Sequence, residues 1–356
     1  MSAVDVSPSY AHLTALSDAH GVFEHALLDI PRAEHGYCVD DVARALIVLV
    51  REPDQTPELA ALIRLCLSFV EDAVAPDGRA HNRMSADGLW SDEPALGDWW
   101  GRALWALGVT AAHSTSVDFR GRALTAFHRA ATERSPFGRS MVFAALGAAE
   151  VLAEFPTDLS ARALMLDGVS SIALPEMGAW EWPESRLRYA NAAVPEALLA
   201  AGVVMDDPRM LTHGLSMLRF LLALETRDGH LSVTGTSGRG RAQHSVQFDQ
   251  QPIEVAALAD ACARAFDITG ESEWRDIVGS AWAWFEGDND SGAVMFDAMT
   301  GAGFDGLESD GRNENRGAES TIAALSTYQQ ARRLHILERV TVLTPIPNPT
   351  PIRVPA

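Results

Sequence analysis

His35-Gly36-Tyr37-Cys38-Val39-Asp40-Asp41-Val42-Ala43-Arg44-Ala45-Leu46 is a polar loop, with a glycine and an aromatic, that runs straight into a small-residue apolar helix. The pattern comes round six times along the chain. It returns at Gly97-Asp98-Trp99-Trp100-Gly101-Arg102-Ala103-Leu104-Trp105-Ala106-Leu107 and at Phe137-Gly138-Arg139-Ser140-Met141-Val142-Phe143-Ala144-Ala145-Leu146. A fourth copy is Tyr189-Ala190-Asn191-Ala192-Ala193-Val194-Pro195-Glu196-Ala197-Leu198-Leu199. The last two are Phe248-Asp249-Gln250-Gln251-Pro252-Ile253-Glu254-Val255-Ala256-Ala257-Leu258 and Asn313-Glu314-Asn315-Arg316-Gly317-Ala318-Glu319-Ser320-Thr321-Ile322-Ala323-Ala324-Leu325.

The helices of these units are apolar nearly all round and are expected to be buried on most sides. Between them run stretches with apolar residues at three- and four-residue spacing and charges in the gaps, the pattern of amphipathic helices. They cover roughly Tyr10–Leu28, Pro57–Val74, Asp118–Glu133, Leu159–Ile172, Asp207–Glu225 and Glu271–Phe285. Outer amphipathic helices alternating with inner apolar ones predict an all-α (α/α)6 toroid, with a generic helical bundle as the alternative. The copies are unevenly spaced, which suits a closed ring with elaborated loops better than a solenoid of fixed period. Most loops bring carboxylates, amides or aromatics to the same end of the helix that follows, so a polar, acidic cleft is predicted where those ends meet.

Residues 1–335 read as one domain and the Val- and Pro-rich residues 336–356 as an extended tail. Gly229-His230-Leu231-Ser232-Val233 and Ala293-Val294-Met295-Phe296 read as short strands within the loops. The Gly-rich run from Gly235 to Arg241 lacks the phosphate-loop pattern and reads as a mobile lid or flexible turn.

The chain of 356 residues carries a formal net charge of −20, and all 28 of its basic residues are Arg. That balance argues against nucleic acid, whose phosphates need a basic track, and against anionic membrane surfaces. Neutral sugars are well accommodated. Cys38, Cys66 and Cys262 are scattered and suggest neither a disulfide framework nor a metal knuckle. No metal site or other cofactor is expected, since HExxH and close His pairs are lacking and the Asp288–Gly292 segment is too short for a calcium loop. Met1 to Tyr10 has no basic n-region and no apolar h-region, and no span approaches a membrane helix. A cytoplasmic protein is the expectation, with non-classical export left open.

Asp40 and Asp41 open the first inner helix, where one carboxylate suffices for capping and the second is surplus. Glu319 sits among Ala318, Ser320 and Thr321 on a helix that has no structural need for charge, and Glu254 is placed similarly. Their bland alternatives are ion pairs with Arg316 or Arg264. Asp249 and Asp305 complete the candidate acids. Asn191, Gln250, Gln251, Asn313 and Asn315 are neutral donor–acceptor groups of the kind hydroxyl-rich ligands need. Trp90, Trp99, Trp100, Trp180 and Trp182, with Tyr37 and Tyr189, are candidate platforms for sugar rings. Arg44, His81, Arg83 and Asp98 are further candidates for the wall of the site. In a closed ring the first and sixth inner helices are neighbours, so Asp41 and Glu319 are expected to face one pocket.

Gly36-Tyr37-Cys38-Val39-Asp40-Asp41-Val42-Ala43-Arg44, Gly101-Arg102-Ala103-Leu104-Trp105, Asp249-Gln250-Gln251-Pro252 and Gly317-Ala318-Glu319-Ser320-Thr321 resemble a bacterial (α/α)6 domain. That domain occurs alone or behind a family-4-type glycosyltransferase. More broadly the pattern resembles the six-hairpin glycosidases, over roughly residues 10–332. The second unit departs from the acidic Ser-Glu-Asp loop expected there and keeps only Asp98. The resemblance implies an oligo- or polysaccharide substrate, and a glycosyltransferase as a partner. It points to a glycoside hydrolase acting on a cell-envelope or storage glycan through two carboxylates, Asp41 and Glu319 foremost, with inversion as the superfamily habit. One rival is a sugar 2-epimerase or isomerase, which requires His81 or His244 at the centre of the cleft as proton carrier. The other is a non-catalytic glycan-binding module.

Overall fold

A computed structural model of the chain describes residues 8–173 and 180–337. In chain order its α-helices are α1 (Ala11–Ala15), α2 (Val39–Arg51), α3 (Pro57–Ala73), α4 (Asp98–His113), α5 (Val117–Ala130) and α6 (Gly138–Glu154). They continue with α7 (Leu159–Ser170), α8 (Ala193–Met205), α9 (Pro208–Glu225), α10 (Pro252–Thr269), α11 (Ser272–Phe285) and α12 (Ala318–Arg333). Each even-numbered helix packs on the next even-numbered one, and α12 packs back on α2 to close a ring. Each odd-numbered helix lies outside, against its even-numbered neighbour in the chain, with α1 against α12. This is the (α/α)6 toroid, its inner ring built from the recurring apolar units. No helix among the described residues is long and apolar enough to cross a membrane.

Small residues set how closely the ring packs. A Cβ on Gly108 of α4 would fall 2.2 Å from the Gly147 carbonyl oxygen of α6, and one on Gly147 would fall 2.3 Å from that of Leu104. The α4 and α6 backbones therefore touch, and Ala in place of either glycine would force them apart.

The two sets of helices begin differently. Thr56, Ser116, Asp158 and Asp207 cap the outer helices α3, α5, α7 and α9 with their own side chains. None of the six inner helices has a side-chain cap from its N-cap residue. The acids in the first turns of the inner helices are thus free to bond elsewhere, and the positive ends of the inner dipoles face the mouth of the ring.

The first outer helix is far shorter than expected over Tyr10–Leu28. Asp18 accepts bonds from the backbone N–H groups of His20 and Gly21 at 2.8 and 3.2 Å. This turn stops the helix, and Phe23 then bridges to Tyr37. The strand-like segments each give a two-residue strand, His230–Leu231 paired with Thr226–Arg227 and Phe296–Asp297 paired with Ala302–Gly303. Within the Gly-rich run, Arg239–Gly240 pairs with Arg186–Leu187. Of the expected tail, residues 338–356 lie outside the described residues.

Candidate active site

The N-terminal ends of the inner helices open onto a cleft of about 950 Å3. Asp40, Asp41 and Arg44 reach it from α2, Asp98 and Trp99 from α4, Arg139 from α6, and Glu319 from α12. Tyr189 and Gln251 enter from the loops before α8 and α10. Glu24, Glu184 and Asp305 bring the lining carboxylates to seven, against the four arginines Arg44, Arg83, Arg139 and Arg188. The cleft is therefore acidic. Beneath it the ring axis is plugged by side chains such as Arg102, Trp105, Ile253 and Ile322, which leave a void of only about 50 Å3.

At the junction of α2 and α12, one nitrogen gathers three carboxylates. Arg44 Nη2 lies 2.6 Å from Asp40, 2.6 Å from Asp41 and 3.0 Å from Glu319. Arg102 Nε stands 3.3 Å from the other oxygen of Asp40. Oxygens of Asp40, Asp41 and Glu319 lie within 4.8 Å of one another. That spacing would suit a cation, but the guanidinium already sits among them. A second close group, Glu24, Cys38 and Asp41, is a poor cation ligand set, because burial keeps the Cys38 thiol well above its ordinary pKa and thus protonated.

The two neighbouring aspartates are driven apart electrostatically. Burial opposes ionisation of Asp40, yet Arg44 and Arg102 outweigh it and hold this carboxyl below its ordinary value. Asp41 is buried more completely, its side chain 4% exposed against 25% for Asp40. Burial, reinforced by the charges of Glu319 and Asp40 and opposed by Arg44, pushes Asp41 well above the usual carboxylate range. Burial thus favours the neutral form of Asp41 while two arginines favour the ionised form of its neighbour Asp40. Glu319, with a side chain 38% exposed, is the most accessible of the three.

Other lining groups form a polar wall. Asp98 accepts bonds from Ser140 Oγ at 2.8 Å and from the Tyr189 hydroxyl, and burial raises its pKa. Arg139 pairs with Glu184 at 2.6 Å and lies over the Tyr189 ring. Arg83 pairs with Glu24. Asp305 accepts from Gly317 N at 2.7 Å and Ser320 Oγ at 2.6 Å, so it caps α12 from the preceding loop while facing the cleft.

Several expected site residues lie elsewhere. Glu254 is buried and accepts from the backbone N–H groups of Ala190 and Asn191 and from the Asn191 amide; it ties α10 to the start of α8 and faces a smaller side recess. Neither it nor Glu319 bonds the arginine expected of it, for Arg264 pairs with Glu150 and Glu196 and Arg316 approaches Asp297. Asp249 is exposed outside the cleft. Tyr37 is fully buried and donates to Asp18. His81 stacks on Trp90 with its Nδ1 2.7 Å from the Asp92 carbonyl oxygen, and His244 is exposed away from the cleft. Among the described lining residues His25 is the one histidine. Gln250 is buried against Asp290, Asn313 accepts from Asn315 N, and Asn315 accepts from Leu28 N. Of the five loop tryptophans Trp99 alone lines the cleft; Trp100, Trp180 and Trp182 are buried, because their large apolar rings fill the seams behind the loops.

Sequence reasoning missed Arg102, Arg139, Glu24 and Glu184. The first two carried a signal: each is an Arg within an otherwise apolar helix, where a buried charge needs a partner. Glu24 was hidden because its segment read as helix.

No protein-family model matches the chain, and no curated protein does either. Solved structures do. Cellobiose 2-epimerase from Spirochaeta thermophila superposes with a TM-score of 0.68 at 13% identity, over 93% of this chain and 94% of that one. A D-mannose isomerase gives 0.66 at 10% identity, over 91% and 95%. An inactive variant of an α-1,6-mannanase of Salegentibacter sp., with two neighbouring aspartates changed to asparagine and bound to α-1,6-mannotriose, gives 0.62 at 10% identity, over 91% and 98%. The chain has their fold. At such identities the likeness extends to the toroid and not to the reaction.

Proposed function

We propose that this protein is a glycoside hydrolase that cleaves a neutral glycan in the acidic cleft with the aspartates at the head of α2. The observation that carries this reading is the pair of adjacent carboxyls lining the cleft in unlike surroundings, Asp41 almost fully buried and Asp40 held between Arg44 and Arg102, since glycoside hydrolysis requires two carboxyls of unlike acidity. Asp41 donates its proton to the leaving oxygen. Asp40, kept ionised by Arg44 and Arg102, acts on the anomeric carbon, and Glu319 opposes it across Arg44. Inverting enzymes need about 6.5–9.5 Å between carboxyls to seat a water, and retaining enzymes about 5–5.5 Å. Oxygens within 4.8 Å of one another support the short spacing, so this reading replaces the expected inversion with retention through a glycosyl-enzyme ester.

A solved α-1,6-mannanase of the same toroid is inactive with two neighbouring aspartates changed to asparagine, so this fold can host a hydrolysis that depends on such a pair. The epimerase reading places His81 or His244 at the cleft centre, and both lie outside the cleft, which leaves His25 as the one histidine among the described lining residues. The three carboxyls gathered on Arg44 at the cleft also count against a silent binding module, which has no use for such a cluster. A glycosyltransferase partner and a cytoplasmic location remain parts of the proposal. The test is product analysis on a panel of mannans, glucans and arabinans. Asp40→Asn and Asp41→Asn should each lower turnover by about 10²–10⁴-fold, with Glu319→Gln less severe. Undiminished turnover in both aspartate variants removes the assignment.

A further inference from the structure

Beside the main cleft lies a second recess of about 560 Å3. The two share Arg188, Tyr189 and Gln251, so they form one trough that crosses a saddle at Tyr189, whose ring is 40% exposed. The far wall of the recess is the segment Thr234 to Gly238, held in place by several bonds. Thr234 N donates to Glu225 at 2.9 Å, Thr236 N donates to the Asp249 carbonyl at 3.0 Å, and Arg186 Nη2 donates to the carbonyls of Ser237 and Gly238 at 2.8 and 3.0 Å. Thr234 lines the recess but is 1% exposed, with its hydroxyl closed off from the cavity. Thr236 and Ser237 add exposed hydroxyls at the rim, and each cavity is of a size that takes a small ligand on its own.

We infer that the recess is a glycan subsite, so that the substrate is an oligosaccharide chain lying across Tyr189 with its hydroxyls meeting those of Thr236 and Ser237 at the rim. This rests on the hydrolase reading for the main cleft but concerns binding, and it is measured separately. The lining sets the rim hydroxyls, the Gln251 amide and the Tyr189 ring beside Arg186, Arg188 and the buried Glu254, a mix of donors, acceptors and one aromatic that can read sugar hydroxyls. A single-sugar substrate, as an isomerase would take, has no use for it.

The probe is a series of α-1,6-linked mannooligosaccharides from disaccharide to hexasaccharide, titrated calorimetrically into the full chain carrying Asp41→Asn. Affinity should climb with length and then level off, the hexasaccharide binding at least about tenfold more tightly than the disaccharide. Ser237→Trp fills the exposed rim of the recess and should bring that ratio close to one. Thr236→Val keeps the shape, removes an exposed hydroxyl, and should cut the ratio several-fold with the thermal midpoint held. Cleavage by the wild type without any length dependence of binding overturns the subsite and leaves the hydrolase. Length-dependent binding without cleavage upholds the subsite and overturns the hydrolase. Failure to bind any member of the series, or a ratio unmoved in both variants, overturns the subsite.

Discussion

Replacing Arg44 with Met removes the group that three carboxylates share. Arg44 is 8% exposed, and its Nη2 is within 3.0 Å of Asp40, Asp41 and Glu319. Two carboxylate oxygens within 4.8 Å of one another repel by at least about 3.5 kcal/mol at an effective dielectric of about 20. With burial favouring the neutral form of Asp41, Asp40 and Glu319 are left to repel one another once the guanidinium is gone. Glu319, more than a third exposed, contributes least because water screens it. Breaking a buried pair by removing one partner costs about 3–5 kcal/mol, and the same is expected here near neutral pH. The pH dependence carries the sharper test. Asp40, held below its ordinary value, lends stability that is present at neutral pH and is lost as pH falls through its folded pKa. Asp41, pushed above its ordinary value, behaves oppositely, and stability drains as pH rises through its folded pKa. Without Arg44 both carboxyls move upward, so the deficit should shrink toward about 1 kcal/mol near pH ~4, where the cluster takes up protons. Urea unfolding of the wild type and Arg44→Met across that range reads it directly. Glu319→Gln added to the variant should restore part of the loss at neutral pH. A deficit that is constant with pH, or that grows in acid, refutes the account of the cluster.

Gly147→Ala should destabilise the ring by about 1–3 kcal/mol, because its Cβ would meet the Leu104 carbonyl at 2.3 Å; thermal unfolding measures this. Trp100→Ala empties a fully buried site and should cost about 3–5 kcal/mol of stability. Trp99→Ala, in the cleft wall, should instead weaken oligosaccharide binding in calorimetry. Glu254→Ala strips the acceptor from Ala190 and Asn191 N–H groups and should lower stability by about 2–4 kcal/mol, visible as a lower urea midpoint.

The inner ring was legible because an all-round apolar helix has one place to go in a globular fold, and repetition of that pattern after polar loops implied closure. The α2 and α12 acids were legible for the same reason, since charge on such a helix has to be used. The first outer helix was misread because Asp18 and Gly21 build a turn inside a stretch whose apolar spacing still looks helical. Amides and tryptophans in loops were the weakest signals. Asn191, Gln250 and Trp180 have the chemistry to meet a sugar, but each meets backbone or carboxylate instead, and which outcome applies depends on side-chain direction that composition does not encode. The recess behind Tyr189 was invisible because Arg186–Tyr189 and Thr234–Gly238 are far apart in sequence and meet through one short strand pair.

The central claim is that Asp40 and Asp41 cleave a glycosidic bond. It is tested most directly by incubating the wild type and Asp41→Asn with α-1,6-mannooligosaccharides and related glucan and arabinan oligosaccharides, and resolving the products by chromatography and NMR. The account predicts shorter sugars with new reducing ends from the wild type, first released with retained anomeric configuration, and their loss in Asp41→Asn. Intact chains whose reducing sugar has been epimerised or isomerised, or equal cleavage by both proteins, would contradict it.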